Sequence, residues 1–61
     1  MKLDEYLKTE NLSSAEFGAK IGVSGRSVDY YRNLERQPRR QVTKEIIRVT
    51  DGKVTANDLC A

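Results

Sequence analysis

The chain has 61 residues, 38% hydrophobic and 33% charged, with a formal net charge of +2, a length that excludes a second cored domain. A domain this small buries only about 60% of the surface of its unfolded chain and often rests on a disulfide, a metal or a partner subunit. Cys60 is the single cysteine and histidine is absent, which excludes an intramolecular disulfide, the usual zinc-ligand spacings and an imidazole acid-base; a second subunit remains.

Leu3, Tyr6 and Leu7 follow helical spacing with Asp4 and Glu5 in the first turn, where the helix dipole favours acids. This predicts a first helix ending near Asn11. Ser13-Ser14-Ala15-Glu16 has the form of a capping box and opens a second helix at Ser14, with Phe17, Gly18 and Ile21 on its inner face. Gly22 stops that helix in the left-handed conformation needed for a sharp turn. Val23 fills the turn. Ser24 caps a third helix over Gly25 to Leu34, in which Val28 and Tyr31 face inward while Arg26, Asp29, Tyr30 and Asn33 face outward. Glu35-Arg36-Gln37-Pro38 reads as a loop.

The last third supports two readings. Val42, Ile46 and Val49 fall at i, i+4 and i+7, Gly52 stands where a helix-stopping glycine belongs, and Thr55-Ala56-Asn57-Asp58 opens a last short turn around Leu59. The alternative is a hairpin at Asp51-Gly52 between β-branched runs, giving an α+β fold. Strict alternation is broken by the Ile46-Ile47 pair, so the helix is preferred.

No apolar run is long enough for a transmembrane helix, and Lys2-Leu3-Asp4-Glu5 does not begin a signal peptide; a cytoplasmic protein is expected. The free thiol of Cys60 fits a reducing compartment. A core this small leaves little room for a large ligand pocket, and neither a nucleophile-base pair nor a phosphate-cradling glycine loop is present. A binding module without a cofactor is therefore expected, not an enzyme.

The charge is uneven. Residues 1–25 carry a net −1 and residues 26–61 a net +3. Between positions 26 and 48, Arg26, Arg32, Arg36, Arg39, Arg40, Lys44 and Arg48 stand against Asp29, Glu35 and Glu45. Arginine suits bidentate contacts to phosphate and to guanine edges, so nucleic acid leads as the partner, beside the plainer reading of a solvated charged face.

Residues 14–33 reproduce the helix-turn-helix pattern: Phe17, Ile21, Val23, Val28 and Tyr31 at the apolar positions, Gly18 where the helices approach, and Gly22 in the turn. The stretch Leu12-Ser13-Ser14-Ala15-Glu16-Phe17-Gly18-Ala19-Lys20-Ile21-Gly22-Val23-Ser24 resembles the helix-turn-helix of the Cro and lambda-repressor (XRE-type) superfamily. The tail from Val49 to Leu59 is similar to the ending of small Cro-like regulators of phage and prophage origin. The resemblance implies an all-α bundle of about five short helices that forms one domain over residues 1–61, binds double-stranded operator DNA and represses transcription. It also implies a homodimer, in solution or only on DNA. A family member with a hairpin after its helix-turn-helix keeps the α+β alternative open. Gly18 departs from the usual alanine, at a cost of roughly 0.5–1 kcal/mol in helix propensity, and Ser14 departs from the glutamine that many relatives carry.

Carried over by position, the base-reading set is Gly25, Arg26, Asp29, Tyr30 and Asn33. Arg26 fits a bidentate contact to guanine. Asp29 either accepts from a cytosine or pairs with Arg26 or Arg32. Tyr30, read as exposed beside a buried Tyr31, packs on a thymine methyl or donates to a phosphate. Gly25 lets the backbone approach the DNA. Phosphate anchors are Ser13, Ser14, Ser24 and Ser27 at the two helix starts, with Arg36, Arg39 and Arg40 in the loop; Ser13 and Ser24 serve equally well as plain caps. The rival function is an antitoxin or antirepressor-type interaction module, in which Val42 to Leu59 docks a partner protein and DNA binding is secondary. Ile47, Val54 and Cys60 are the candidates for exposed contacts in a dimer, and each fits a place in the core equally well.

Overall fold

The computed structural model describes residues 1–60. Four α-helices, α1 (Leu3–Thr9), α2 (Ser14–Ile21), α3 (Gly25–Arg32) and α4 (Arg40–Val49), are followed by a single 3₁₀ turn at Asn57–Leu59. No strand occurs among the described residues. The all-α class therefore holds, but with four helices; the expected fifth is one 3₁₀ turn. The hairpin alternative is overturned because Val42, Ile46 and Val49 turn one face of α4 to the core, with Ile46 fully buried.

The core gathers Leu3, Tyr6 and Leu7 of α1, Phe17 and Ile21 of α2, Val28 of α3, Ile46 of α4, and Val54 and Leu59 of the tail. Phe17 is central, and Tyr6 packs edge-on against it with ring centroids 6.2 Å apart. Val54 is 0% exposed, so it belongs to the core and offers no outward contact; Ile47 is half-buried and Cys60 exposed. No helix among the described residues is long and apolar enough to cross a membrane.

Each helix is stopped in the same way. Asn11, Gly22, Leu34 and Asp51 adopt left-handed φ values of 56°, 78°, 59° and 56°. The amide of the next residue then donates back to a carbonyl in the last turn: Leu12 to Leu7, Val23 to Gly18, Glu35 to Tyr30 and Gly52 to Ile47, each at 2.9 Å. In α1 and α3 the left-handed residue stands just past the C-cap, Glu10 and Asn33 respectively, so the last helical residue lies two positions before it. α1 thus stops at Thr9, near the expected Asn11, and α3 at Arg32 instead of Leu34. Leu34 is bulky for this conformation, which costs a side-chain-bearing residue roughly 1–2 kcal/mol.

The tail is fastened at two points. Asp58 accepts hydrogen bonds from the Thr55 amide and hydroxyl and pairs with the Met1 ammonium at 2.9 Å. The Thr55 amide first, and then the ammonium, hold its carboxyl down at about 2. At the other point Thr50, 1% exposed, donates its hydroxyl to the Ile46 carbonyl at 2.7 Å and accepts from the Val54 amide at 3.2 Å. Thr50→Val keeps the shape but leaves the buried Val54 amide without its acceptor. We expect a loss of about 1–3 kcal/mol in urea unfolding, with Thr50→Ser closer to wild type.

Candidate nucleic-acid interface

The placement of α3 is set by two glycines on either side of the turn. A Cβ at Gly18 would stand 2.5 Å from the Val23 carbonyl oxygen and 3.2 Å from the Ser24 carbonyl, so backbone occupies the space of the missing side chain. Gly25 does the same from the other direction, since a Cβ there would lie 3.1 Å from Ala15 Cα and N. The first turn of α3 is thereby held against the first turn of α2. Gly25 thus serves helix packing in the free protein, a role the sequence reading did not give it.

Capping leaves amides free at both helix starts. The Ser13 hydroxyl accepts from the Glu16 amide at 3.1 Å while the Glu16 carboxylate accepts from the Ser13 amide at 3.0 Å, the expected capping box. At α3 the Ser24 hydroxyl accepts from the Ser27 amide at 3.2 Å and lies 3.2 Å from the Ser27 hydroxyl. The amides of Ser14 and Ala15, and those of Gly25 and Arg26, belong to first turns and find no backbone acceptor. Ser13 and Ser24 are therefore caps in the free protein. An anion at this place would meet the free amides and the unused hydroxyl proton of Ser13.

Ser14 and Asp29 are tied into a network that links three helices. Arg32 donates from Nε and Nη2 to Asp4 at 2.8 and 2.6 Å, and from Nη1 to the Ser14 hydroxyl at 2.9 Å. Ser14 in turn donates to Asp29, and Lys8 closes the other end on Asp4 at 3.0 Å. Arg32 first, then Lys8, hold the Asp4 carboxyl below the usual carboxylate range. The pairing of Asp29 with Arg26 or Arg32 is not what forms. Asp29 takes the Ser14 hydroxyl, while Arg32 turns to α1, 28 residues away in sequence.

The remaining outward residues of α3 are free or nearly so. Arg26 is exposed, and Asn33 is exposed with its amide 3.3 Å from the Glu35 carboxylate. Tyr30 and Tyr31 are both half-buried, which corrects the reading of one as exposed and the other as buried. The Arg36 guanidinium carbon lies 4.5 Å from the centroid of the Tyr30 ring.

The charge surplus is sharper than the sequence showed. Two of its arginines are neutralised, Arg32 by Asp4 and Arg48 by Glu45 at 2.9 Å. Between positions 26 and 48 that leaves Arg26, Arg36, Arg39, Arg40 and Lys44 without a carboxylate partner; elsewhere among the described residues Lys2, Lys20 and Lys53 have none either. Arg39 and Arg40 stand at the start of α4, which has neither a side-chain cap nor an acid in its first turn. A helix start disfavours cations, and an anion placed there would relieve that cost.

Two shallow seams open on the surface, of about 500 and 420 Å³. The expectation that so small a chain lacks a hollow of this order therefore fails. The larger lies between α1 and the end of α3, and its Asp4, Lys8 and Arg32 are already paired with one another. Comparison with protein-family models, curated proteins and solved structures returned no match.

Gly18→Ala tests how the interface is positioned. Alanine is the better helix former by roughly 0.5–1 kcal/mol, yet its methyl would have to displace backbone. Overpacking of this kind costs about 1–3 kcal/mol. Chemical denaturation is expected to show net destabilisation; a stabilised variant would mean that α2 and the turn are not in close contact.

Proposed function

We propose that this chain is a sequence-specific double-stranded DNA-binding module of the Cro and lambda-repressor type, with α2, the Gly22 turn and α3 acting as its helix-turn-helix. In this reading α3 enters the major groove and the protein represses transcription by occupying its operator as a dimer formed on the DNA. It acts by binding, not by catalysis. The observation that carries the reading is the placement of the unpaired arginines: among the described residues all four, Arg26, Arg36, Arg39 and Arg40, lie on α3, in the segment after it or at the start of α4, whereas the unpaired lysines are spread along the chain. The segregation suits a polyanion whose groove takes a helix and whose phosphates flank it.

Each part has a role in this reading. Arg26 reads a guanine through O6 and N7. Asn33 extends the contact along the same face. Asp29, already held by Ser14, orients the start of α2 instead of meeting a cytosine. The amides of Ser14, Ala15, Gly25 and Arg26 take phosphate oxygens, with Ser13 adding its hydroxyl. Arg39 and Arg40 hold the backbone beyond α3.

The rival reading, a module whose residues 42–59 dock a partner protein, has less to stand on. Its apolar anchors Ile46, Val54 and Leu59 are inside the core, and Met1 is the only exposed large hydrophobic side chain among the described residues. That scarcity also favours a dimer assembled on DNA over one held by a large apolar interface.

Selection from a random duplex pool is expected to return a two-fold symmetric site. On that site Arg26→Ala should weaken binding by about 1–3 kcal/mol and relax preference at one base pair. Arg39→Ala should weaken binding to all sequences alike and lower the salt slope by about one. A protein that enriches no sequence, or whose binding ignores Arg26, would sink the proposal.

A further inference from the structure

Arg36 lies beyond the end of α3, in the loop that leads to α4. A free loop arginine would sample many rotamers, but here the chain folds back. Leu34 takes φ 59°, a conformation that bulky residues rarely adopt, and the Glu35 amide returns to the Tyr30 carbonyl at 2.9 Å. Position 36 is thus set beside position 30, with the guanidinium carbon 4.5 Å from the ring centroid. The nearby Glu35 carboxylate is engaged by the Asn33 amide at 3.3 Å and makes no ion pair with Arg36.

Resting on the DNA-binding reading above, we infer that Tyr30 is a positioning residue: its ring holds Arg36 as a preformed fork for two adjacent acceptor atoms on DNA. A guanidinium lying over a ring has one face covered, while the N–H donors along its edge stay free in a plane. That edge matches two acceptors side by side, which DNA offers both as the O6 and N7 of guanine and as two oxygens of one phosphate. The two residues are one unit, although they fall in separate groups when read by helix position alone. Tyr30 contributes through its face; its hydroxyl is dispensable.

The stack itself is read in the free protein by NMR. The Arg36 side-chain N–H resonance is expected to carry a ring-current shift that Tyr30→Phe preserves and Tyr30→Leu abolishes. The function is read by a double-mutant cycle on the selected duplex. Tyr30→Leu should weaken binding about two- to fivefold when Arg36 is present and hardly at all in an Arg36→Ala background, with Tyr30→Phe near wild type. Arg36→Lys keeps the charge but loses the fork, and both of its expected results support the unit. Lost preference at one guanine identifies that base as the acceptor, and a uniform loss on every sequence identifies a phosphate. Additive effects of Tyr30→Leu and Arg36→Ala, or an Arg36 resonance indifferent to the ring, overturn the inference while leaving DNA binding intact. Failure of the wild type to bind any duplex overturns the DNA-binding reading itself.

Discussion

Everything α3 can present to a partner depends on how closely α2 approaches the turn that precedes it. That distance is set by the missing side chain of Gly18, whose place is taken by the Val23 carbonyl 2.5 Å from where a Cβ would stand. With the turn pressed onto α2, Gly22 can reverse the chain at φ 78° and Val23 can return its amide to Gly18. Gly25 then brings the start of α3 against Ala15. Two free helix starts end up side by side, and the outer face of α3 is aimed away from the core. A glycine that looks like a cost in helix propensity is thus the condition for the geometry.

The second constraint is electrostatic. Arg32 is drawn inward by Asp4 and Ser14, so it ties α1 to the interface and takes no part in the outward charge. Arg48 is held by Glu45 on the surface of α4. What remains facing solvent is a smaller set of arginines than the sequence count suggests, and it is set around α3. The paired arginines organise the fold, and the unpaired ones carry the proposed function. At the start of α4 the separation even runs against helix stability, since Arg39 and Arg40 occupy the end of the dipole that favours acids.

The parts of this molecule that were legible in its sequence are those written in neighbouring residues. The capping box of Ser13 and Glu16, the Ser24 cap and the Gly22 stop are each contained within a few positions, and all form as read. The first helix ends near Asn11 as its sequence suggests, since asparagine tolerates the left-handed backbone, whereas nothing in Leu34 signals the same conformation. Whether Val54 lies at the surface or in the core is not legible in the sequence, because nothing nearby reveals that Thr50 fastens its amide inside the core. The link from Asp4 to Arg32 was invisible for a similar reason, since its partners meet only once α1 has packed on α3. Tyr30 and Arg36 belong between these cases: the return at Leu34 that joins them is local, but its signal is a leucine where a glycine would be expected.

The central claim is that the first turns of α2 and α3, the outer face of α3 and the start of α4 form one DNA-facing surface. Titration of the isotopically labelled protein with duplex DNA, followed residue by residue through its amide resonances, tests it most directly. The account predicts changes concentrated at Ser14, Ala15, Gly25, Arg26, Tyr30, Asn33, Arg39 and Arg40, weakening as salt is raised. Changes confined to α1 and the 3₁₀ turn, or no change at low salt, would contradict it.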